Sequence, residues 1–444
     1  MAPNFVGPKH GTDVRRRLPA WGAALVGIVA LGGAALAAYL VTGSGPSTPS
    51  FSRTASYPPP RSPTAGIGLV RQDSDAWNAT AGYQAYSYLI VSRELATRAA
   101  REPGRSLVYF SGTDVNTRWD AGVPYRLAAA KGWLLKAAGG ELLVNRGYPD
   151  NFVADVGDPA YQRAWLGNVL RFHRAHGDDG VFIDDVLRDL LPLAGAEAAK
   201  YPTQQAWAAA QLSFLAAVGP ALRAHGYYVL VNASGYIPGD QASDDGRSTA
   251  AWWRQLAPYV SGLLNEYYQQ VSDGSDATRS AGEAWNQNWD GWQRLVETAQ
   301  SLGKDFVGIA YGPSSDTQRM SYAKASFLLD WNGGGGAFIY EPEDHDANPW
   351  NPAWTANIGR PAAPKQRVGN GWLRRYSAGL TLVNPNPAGS QSFDLGSSYL
   401  TPDGHTVTSI TLPPTTGLIL TSRALARASA AASGRARSAT TGRR

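Results

Sequence analysis

The stretch GVFIDDV, residues 180–186, joins a short apolar run to two carboxylates, Asp184 and Asp185. Turn residues at 177–180 precede it, which is typical of a buried β-strand. Buried parallel strands are apolar almost throughout, so an acid at the last position marks where the strand leaves the core. In barrels of alternating strands and helices, that end of the strand carries the chemistry. The alternative interpretation is an Asp that caps the next helix.

The same pattern recurs along the chain, and helical segments separate its copies. Short apolar or β-branched runs predict strands at residues 67–70, 86–92, 106–110, 180–184, 227–231, 262–266, 306–310 and 337–340. Helical periodicity is found over residues 160–176, 204–225, 285–302 and 322–331. Eight strands interleaved with helices over about 280 residues predict a (β/α)₈ TIM barrel, which we place at residues 65–359.

The rhythm changes after the predicted barrel. Residues 360–422 contain short alternating strands, Asn-Pro and Asp-Gly turns and no helical pattern, which predicts a small C-terminal antiparallel β domain. Residues 423–444 are Ala, Ser and Arg without apolar periodicity, and we expect a disordered basic tail. Residues 43–64, rich in Pro and Ser, are expected to form an extended linker before the barrel.

The N-terminal region predicts export of the body of the protein. Residues 1–20 form a basic cytoplasmic tail, and residues 21–42 are an uncharged run of 22 residues, long enough to span a bilayer. A cleaved signal peptide is the competing interpretation, because Ala35-Leu36-Ala37 fits a cleavage site. The expected location is therefore the cell membrane, with a single pass and the body extracytoplasmic, or the exterior if the segment is cleaved.

The charge distribution does not favour nucleic acid as a partner. The formal net charge is +5, but residues 1–20 carry +3 and residues 423–444 carry +6, so the rest of the chain carries −4. The basic balance thus lies in the ends and not in the body. Cysteine is absent, which excludes disulfides, thiolate zinc sites and a cysteine nucleophile.

The C-terminal ends of the predicted strands supply a set of polar side chains for one cavity. They are Asp73, Asp114, Asp184, Asn232, Glu266, Tyr311 and Glu341. None is a histidine, so a Ser–His nucleophile system has no candidate. No glycine-rich phosphate loop follows a strand either, and we expect no cofactor. Two opposed carboxylates suit cleavage of a glycosidic bond, with one as proton donor and one as nucleophile or base.

Aromatic residues and a second acidic cluster add two further expectations. Sugar rings pack on flat apolar platforms, and Trp, Tyr and Phe make up 47 of 444 residues. Tryptophans expected in or near the loops above the barrel are Trp119, Trp252, Trp285, Trp289 and Trp350, of which Trp119 and Trp285 are the substrate-binding candidates. The run EPEDHD, residues 341–346, could bind calcium, but its spacing matches no EF-hand, and a solvated acidic loop is the default interpretation.

Four motifs in order resemble a known family. They are GVFIDDV, then GLLNEYY at the sixth strand, AKASFLLDWNGGGGAFIY at the eighth, and RRYSAGLTLVNPNP at the start of the C-terminal domain. Over residues 65–422 the chain resembles bacterial TIM-barrel glycoside hydrolases called glycosyl-hydrolase-like family fifteen. These are distantly similar to endo-α-1,4-polygalactosaminidase barrels. The resemblance implies hydrolysis of a polysaccharide, with Asp184 and Glu266 at the positions of the family's strand-end acids.

The candidate catalytic residues are Asp184, Glu266 and Asp185. Strand alternation puts Asp185 on the face of Val181 and Ile183, and barrel interiors favour branched aliphatic residues, which would direct Asp185 inward. The resemblance instead favours Asp184, and we follow it. A non-catalytic polysaccharide-binding barrel and a metal-dependent polysaccharide deacetylase are the alternatives to a glycoside hydrolase.

Overall fold

The computed structural model describes residues 66–71, 86–234, 246–269, 288–312, 315–342, 356 and 358–422. All of them belong to one compact unit of the chain, Pro58–Arg444. The predicted cytoplasmic tail (1–20), anchor or signal segment (21–42), linker (43–64) and basic C-terminal tail (423–444) lie outside the described residues. Within the described part of the chain, no helix is both long and apolar enough to cross a bilayer.

Eight parallel strands close into a barrel. In chain order the described strands up to the end of the barrel are β1 (Gly66–Arg71), β2 (Tyr88–Val91), β3 (Arg105–Ser111), β4 (Asp114–Asn116), β5 (Asn151–Val153), β6 (Gly180–Asp184), β7 (Tyr228–Asn232), β8 (Gly262–Asn265), β9 (Asp305–Gly312) and β10 (Ala337–Pro342). Strands β4 and β5 form a separate antiparallel pair, and the other eight form the barrel. The order around the barrel is β1-β2-β3-β6-β7-β8-β9-β10, and β10 pairs with β1. The predicted (β/α)₈ fold is confirmed, and each strand lies within two residues of its expected position.

Helices occupy the connections between the strands. Those in the described residues are α1 (Ala96–Ala99), α2 (Tyr125–Lys131), α3 (Pro159–His176), α4 (Leu191–Ala194), α5 (Gln204–Ala224), α6 (Arg247–Leu256), α7 (Trp289–Ser301) and α8 (Thr317–Asp330). Helix α3 shows how the sequence sets its ends. The Asp158 side chain caps its first turn, Pro159 occupies its first position, and Gly177 ends it in a left-handed conformation with φ 75°.

Side-chain alternation along the strands separates the barrel interior from the helical layer. Val181 and Ile183 of β6 belong to the hydrophobic core that the strands share with the helices. Phe182 and Asp184 alternate with them and therefore face the barrel axis. The same alternation holds in β7, where Val229 and Val231 pack in the helical core. The β-branched residues of these strands thus face the helices, not the barrel interior.

The N-terminal end of the barrel is closed by a polar network around Asp305. The Asp305 carboxylate accepts hydrogen bonds from the hydroxyl groups of Tyr88 (2.6 Å) and Tyr228 (2.5 Å). The Arg105 guanidinium lies 3.4 Å from the same oxygen and 4.1 Å from the centre of the Tyr228 ring. These residues lie at or next to the first positions of β2, β3, β7 and β9, so the network joins four strands at the end opposite to the predicted site.

The C-terminal strands form a second, antiparallel sheet with its own core. They are β11 (Gln366–Val368), β12 (Gly371–Tyr376), β13 (Gly379–Asn384), β14 (Gln391–Leu400), β15 (Thr406–Leu412) and β16 (Thr416–Ser422), in the order β11-β12-β13-β16-β14-β15. The Arg374 guanidinium attaches this sheet to the barrel. It donates hydrogen bonds to the carbonyl groups of Leu328, Leu329 and Trp331 at the C-terminal end of α8, where cations are favoured. The predicted small β domain is therefore confirmed.

Candidate active site

The C-terminal ends of β6 to β10 place five of the predicted residues around one end of the barrel. Asp184 and Asn232 are the last residues of β6 and β7, and Glu266 directly follows β8. Tyr311 of β9 and Glu341 of β10 are paired in register. All five lie at positions that face the barrel axis by strand alternation. Of the remaining candidates, Asp73 and Trp285 lie outside the described residues.

One amide bridges the two predicted acids. The side-chain nitrogen of Asn232 donates to Asp184 Oδ1 at 2.9 Å and to Glu266 Oε2 at 2.7 Å. Because one atom contacts both oxygens, these oxygens are separated by no more than the sum of the two distances, 5.6 Å. The two carboxyl groups therefore lie close together across the end of the barrel.

Ser234 fixes the orientation of this amide. The Asn232 Oδ1 atom accepts from the Ser234 hydroxyl (2.7 Å) and from the Ser234 backbone N–H (3.2 Å). The Ser234 hydroxyl in turn accepts from the backbone N–H of Glu266 at 2.6 Å. Reversing the amide would lose these bonds and would turn its oxygen toward two carboxylates, so the amide nitrogen faces the acids.

A tyrosine contacts the outer oxygen of each acid. The Tyr109 hydroxyl donates to Asp184 Oδ2 at 2.9 Å, and the Tyr311 hydroxyl donates to Glu266 Oε1 at 2.7 Å. Burial, with the neighbouring carboxylates, raises the pKa of both tyrosines well above the ordinary value. Both hydroxyl groups therefore keep their protons. Burial also raises the pKa of Asp184, while the hydrogen bonds from Asn232 and Tyr109 act in the opposite direction.

Asp185 lies beyond the end of β6, and the alternation argument that directed it inward is wrong. That argument took the face of Val181 and Ile183 as the barrel interior, whereas these residues pack against the helices. Asp184 faces the interior, as the resemblance implied. Asp185 has a left-handed backbone with φ 56°. Burial and the charges of Asp184, Asp114 and Glu266 raise its pKa well above the ordinary value.

Asp114 is buried in the segment that links β3 to α3. Its Oδ2 atom accepts from the side-chain amides of Asn145 (2.9 Å) and Asn151 (3.0 Å). Its Oδ1 atom is buried without a hydrogen-bond partner in the described part of the chain. Burial raises the pKa of Asp114 to about 7, and the charge of Asp184 contributes to the rise. Asp114 is thus a third acid near the pair, held by amides that lie more than 30 residues away in sequence.

The tryptophans divide into two groups. Trp119 is half-buried, and its ring centre lies 5.7 Å from that of Tyr109. Tyr109 is the residue whose hydroxyl contacts Asp184. Trp252 and Trp289, expected in or near the loops above the barrel, form the second group. They are buried in helices α6 and α7, respectively, because their rings fill the apolar layer between helices and strands. Trp350 lies outside the described residues.

The sequence gives a family assignment that agrees with this geometry. The model of the "Hypothetical glycosyl hydrolase family 15", GHL15, matches residues 113–380, which include Asp184, Asn232, Glu266 and Tyr311. The chain belongs to GHL15. Its class is that of the glycoside hydrolases, as the sequence motifs implied. None of the curated proteins compared with the chain is significantly similar to it in sequence.

Several solved structures are similar to this GHL15 chain at low sequence identity. The glycoside hydrolase domain of PelA from Pseudomonas aeruginosa is 15% identical with a TM-score of 0.42, over 64% of this chain and 96% of that domain. Ega3 from Aspergillus fumigatus, solved with galactosamine, is 11% identical with a TM-score of 0.39, over 68% and 98%. The maltogenic α-amylase AmyB from Thermotoga neapolitana is 8% identical with a TM-score of 0.45, over 79% and 97%.

The predicted calcium alternative receives no support from the residues that can be described. Within them, no group of three or more His, Cys, Asp or Glu side chains is arranged to bind a metal ion. Residues 343–346 of the acidic run lie outside the described residues.

The sequence pattern does not indicate two residues of the GHL15 site, Tyr109 and Ser234. Tyr109 lies inside β3 and was counted as part of an apolar strand. It pairs in register with Phe182, two residues before Asp184, and this pairing is known only from the structure. Ser234 lies two residues after β7 and looked like an ordinary loop residue. Neither residue type is unusual at its position, so only the contacts identify their roles.

The raised pKa of Asp114 predicts a pH-dependent effect of Asp114→Asn on stability. The pKa is about 7 in the folded protein and 3.8 ordinarily. As pH rises from about 4 to about 7, the unfolded chain releases this proton while the folded chain retains it, so wild-type stability falls. The variant keeps an acceptor for Asn145 and Asn151 but does not titrate. It should be more stable than wild type by on the order of 4 kcal/mol at pH 9, with little difference at pH 4.

Urea unfolding of both proteins at several pH values measures this difference. Asp394→Asn makes the same exchange at an exposed position of the C-terminal domain and serves as the control. A stability difference for Asp114→Asn that does not change with pH would contradict the prediction.

Proposed function

We propose that the chain hydrolyses glycosidic bonds of an extracellular or envelope polysaccharide, with Asp184 and Glu266 as the catalytic pair and with retention of anomeric configuration. The observation that carries the proposal is the Asn232 bridge, which limits the separation of the two facing oxygens to 5.6 Å. Retaining glycosidases have carboxyl groups about 5–5.5 Å apart, and inverting enzymes need about 6.5–9.5 Å to admit a water molecule. The extracytoplasmic substrate follows from the predicted export segment.

The surroundings of the pair suit the two protonation states that the reaction needs. In each carboxyl group, one oxygen faces the Asn232 amide, which only donates. The other oxygen faces a tyrosine hydroxyl, which can donate to a carboxylate or accept from a carboxylic acid. A proton on either acid is therefore accommodated on the side of Tyr109 or Tyr311. One acid can protonate the leaving oxygen while the other attacks the anomeric carbon, and the first then activates water in the second step.

Trp119, Asp185 and Tyr311 are proposed to bind sugar next to this pair. Trp119 lies against Tyr109, and its indole N–H is buried without a partner in the described part of the chain. We propose Trp119 as a platform for a sugar ring. Asp185 and Tyr311, which are half-buried, are proposed to contact the substrate around the cleaved bond.

The test is hydrolysis of a panel of neutral, acidic and amino polysaccharides by the purified protein. We expect reducing ends to appear for at least one polymer, and NMR spectra of the first products should show the anomer of the substrate. An inverted first product would contradict the retaining pair. Binding of a polymer without cleavage of any would favour a binding protein, and release of acetate that stops on chelation would favour a deacetylase.

A further inference from the structure

The turn that follows β6 carries Asp184 and Asp185, and its backbone is unusually constrained. Asp185 has φ 56°, a left-handed conformation that non-glycine residues rarely adopt. Such conformations persist only where the surrounding structure fixes them, and they cluster at functional sites. Contacts with neighbouring segments are therefore expected to hold Asp185 in this conformation.

Four consecutive carbonyl groups of the turn are each held by a separate donor. The Asp184 carbonyl accepts from the backbone N–H of Gly112 (2.9 Å). The Asp185 carbonyl accepts from the Thr113 hydroxyl and, within the turn, from the backbone N–H of Leu187 (2.9 Å). The Val186 carbonyl accepts from the indole N–H of Trp252 (3.2 Å), and the Leu187 carbonyl from that of Trp207 (3.0 Å). The Val186 N–H donates to the carbonyl of Asn232 at 3.0 Å, so the residue that bridges the acids also holds the turn.

The bond to the strained residue is supported by a buried side chain of α5. Gln211 is 0% exposed, and its amide nitrogen donates to the Thr113 hydroxyl at 2.7 Å. This bond occupies a lone pair of the hydroxyl and leaves its proton for the Asp185 carbonyl. Gly112 completes the contact because a Cβ atom there would lie 2.7 Å from the Ile183 side chain and 3.1 Å from the Asp184 carbonyl oxygen.

We propose that Thr113 and Gln211 are positioning residues that hold Asp185 in its left-handed conformation and thereby aim Asp184 at Asn232 and Glu266. The proposal rests on the function proposed above for Asp184 and Glu266. Thr113 and Gln211 are both fully buried, so neither contacts a polysaccharide. Their loss should therefore act on turnover and not on substrate binding, because a displacement of about 1 Å can reduce a rate 10²-fold.

The test compares Thr113→Val, which keeps the shape and removes the hydroxyl, with Thr113→Ser, which keeps the hydroxyl. For Thr113→Val we expect kcat to fall about 10–10²-fold at nearly constant KM. Thr113→Ser should restore most of kcat. Gln211→Met removes only the supporting bond and should cause a smaller loss of kcat. Trp331→Phe is the matched control, since it removes a buried indole bond to the Gly335 carbonyl near the other end of the barrel.

Amide hydrogen exchange at Val186 and Leu187 provides a readout that does not require enzyme activity. Exchange should be at least about tenfold faster in Thr113→Val than in wild type, and unchanged in Thr113→Ser and Trp331→Phe. Wild-type protection in Thr113→Val would overturn the proposal, as would equal kcat values for the Val and Ser variants. If exchange behaves as expected but wild type cleaves no polysaccharide, the proposed function fails while the support of the turn is upheld.

Discussion

Asp184→Asn and Glu266→Gln should each reduce turnover by about 10²–10⁴-fold, the range for the loss of a positioned proton-transfer group. Both exchanges preserve the local hydrogen bonds. The new amide can direct its oxygen to the Asn232 nitrogen and its NH₂ group to the tyrosine hydroxyl, which can accept. Folding should therefore be nearly unaffected, and loss of the raised-pKa carboxyl of Asp184 removes a burial cost. Turnover and urea unfolding of the same preparations measure both effects.

Matched controls separate the loss of these acids from the loss of any carboxylate. Asp189→Asn changes an acid five residues after Asp184 whose side chain caps the N–H of Leu191 at 3.1 Å. Glu297→Gln changes a half-exposed acid paired with Lys365. Both controls should turn over at near wild-type rates. Azide can replace a missing nucleophile, so rescue of one variant by azide would assign the nucleophile and leave the other acid as proton donor. Near wild-type hydrolysis by either variant would remove that residue from the mechanism.

The strand ends of this protein were predictable because two simple rules act together. A buried parallel strand must be apolar, and its polar end must leave the core, so Asn232, Glu266 and Glu341 were identified from position alone. The rules depend only on neighbours in the sequence. The same two rules predict that these residues lie at one end of the barrel, since all parallel strands run in the same direction.

Those rules do not predict which of Asp184 and Asp185 faces the barrel interior. The local pattern puts Asp185 on the aliphatic face, and a general preference for aliphatic residues inside barrels led to the wrong face. The correct direction follows from packing, because Val181 and Ile183 fill the layer against the helices. That layer is composed of residues from distant helices, among them Trp207 and Trp253.

Contacts between distant segments explain the rest of what the sequence did not reveal. The amides that bind Asp114 lie 31 and 37 residues away, and Gln211 lies 98 residues from Thr113. Asn, Gln and Thr are common surface residues, and nothing in their local pattern marks them as buried. Their role arises only when the fold removes water and leaves a hydrogen-bonding group that needs a partner.

Asp305→Ala should lower the free energy of unfolding by about 3 kcal/mol, because it removes the carboxylate that joins four strands at the opposite end of the barrel. The variant deprives the hydroxyl groups of Tyr88 and Tyr228 of their acceptor. It also deprives the Arg105 guanidinium of a counter-charge, and this side chain is only 8% exposed. Removing one partner of a buried ion pair costs about 3–5 kcal/mol, and the lower value applies here because Asp305 is 23% exposed.

Urea unfolding followed by tryptophan fluorescence measures this loss, and Asp305→Asn is the matched variant. Both tyrosines donate to one oxygen of Asp305, which Asn retains, so Asn loses only the charge. We therefore expect a loss between those of wild type and Asp305→Ala. Turnover of Asp305→Ala below its unfolding transition should equal that of wild type, since the network lies at the end of the barrel opposite to Asp184 and Glu266. A stability loss below about 1 kcal/mol would show that the tyrosines and Arg105 do not depend on this carboxylate. A large fall in turnover of the folded variant would show that the two ends of the barrel are coupled.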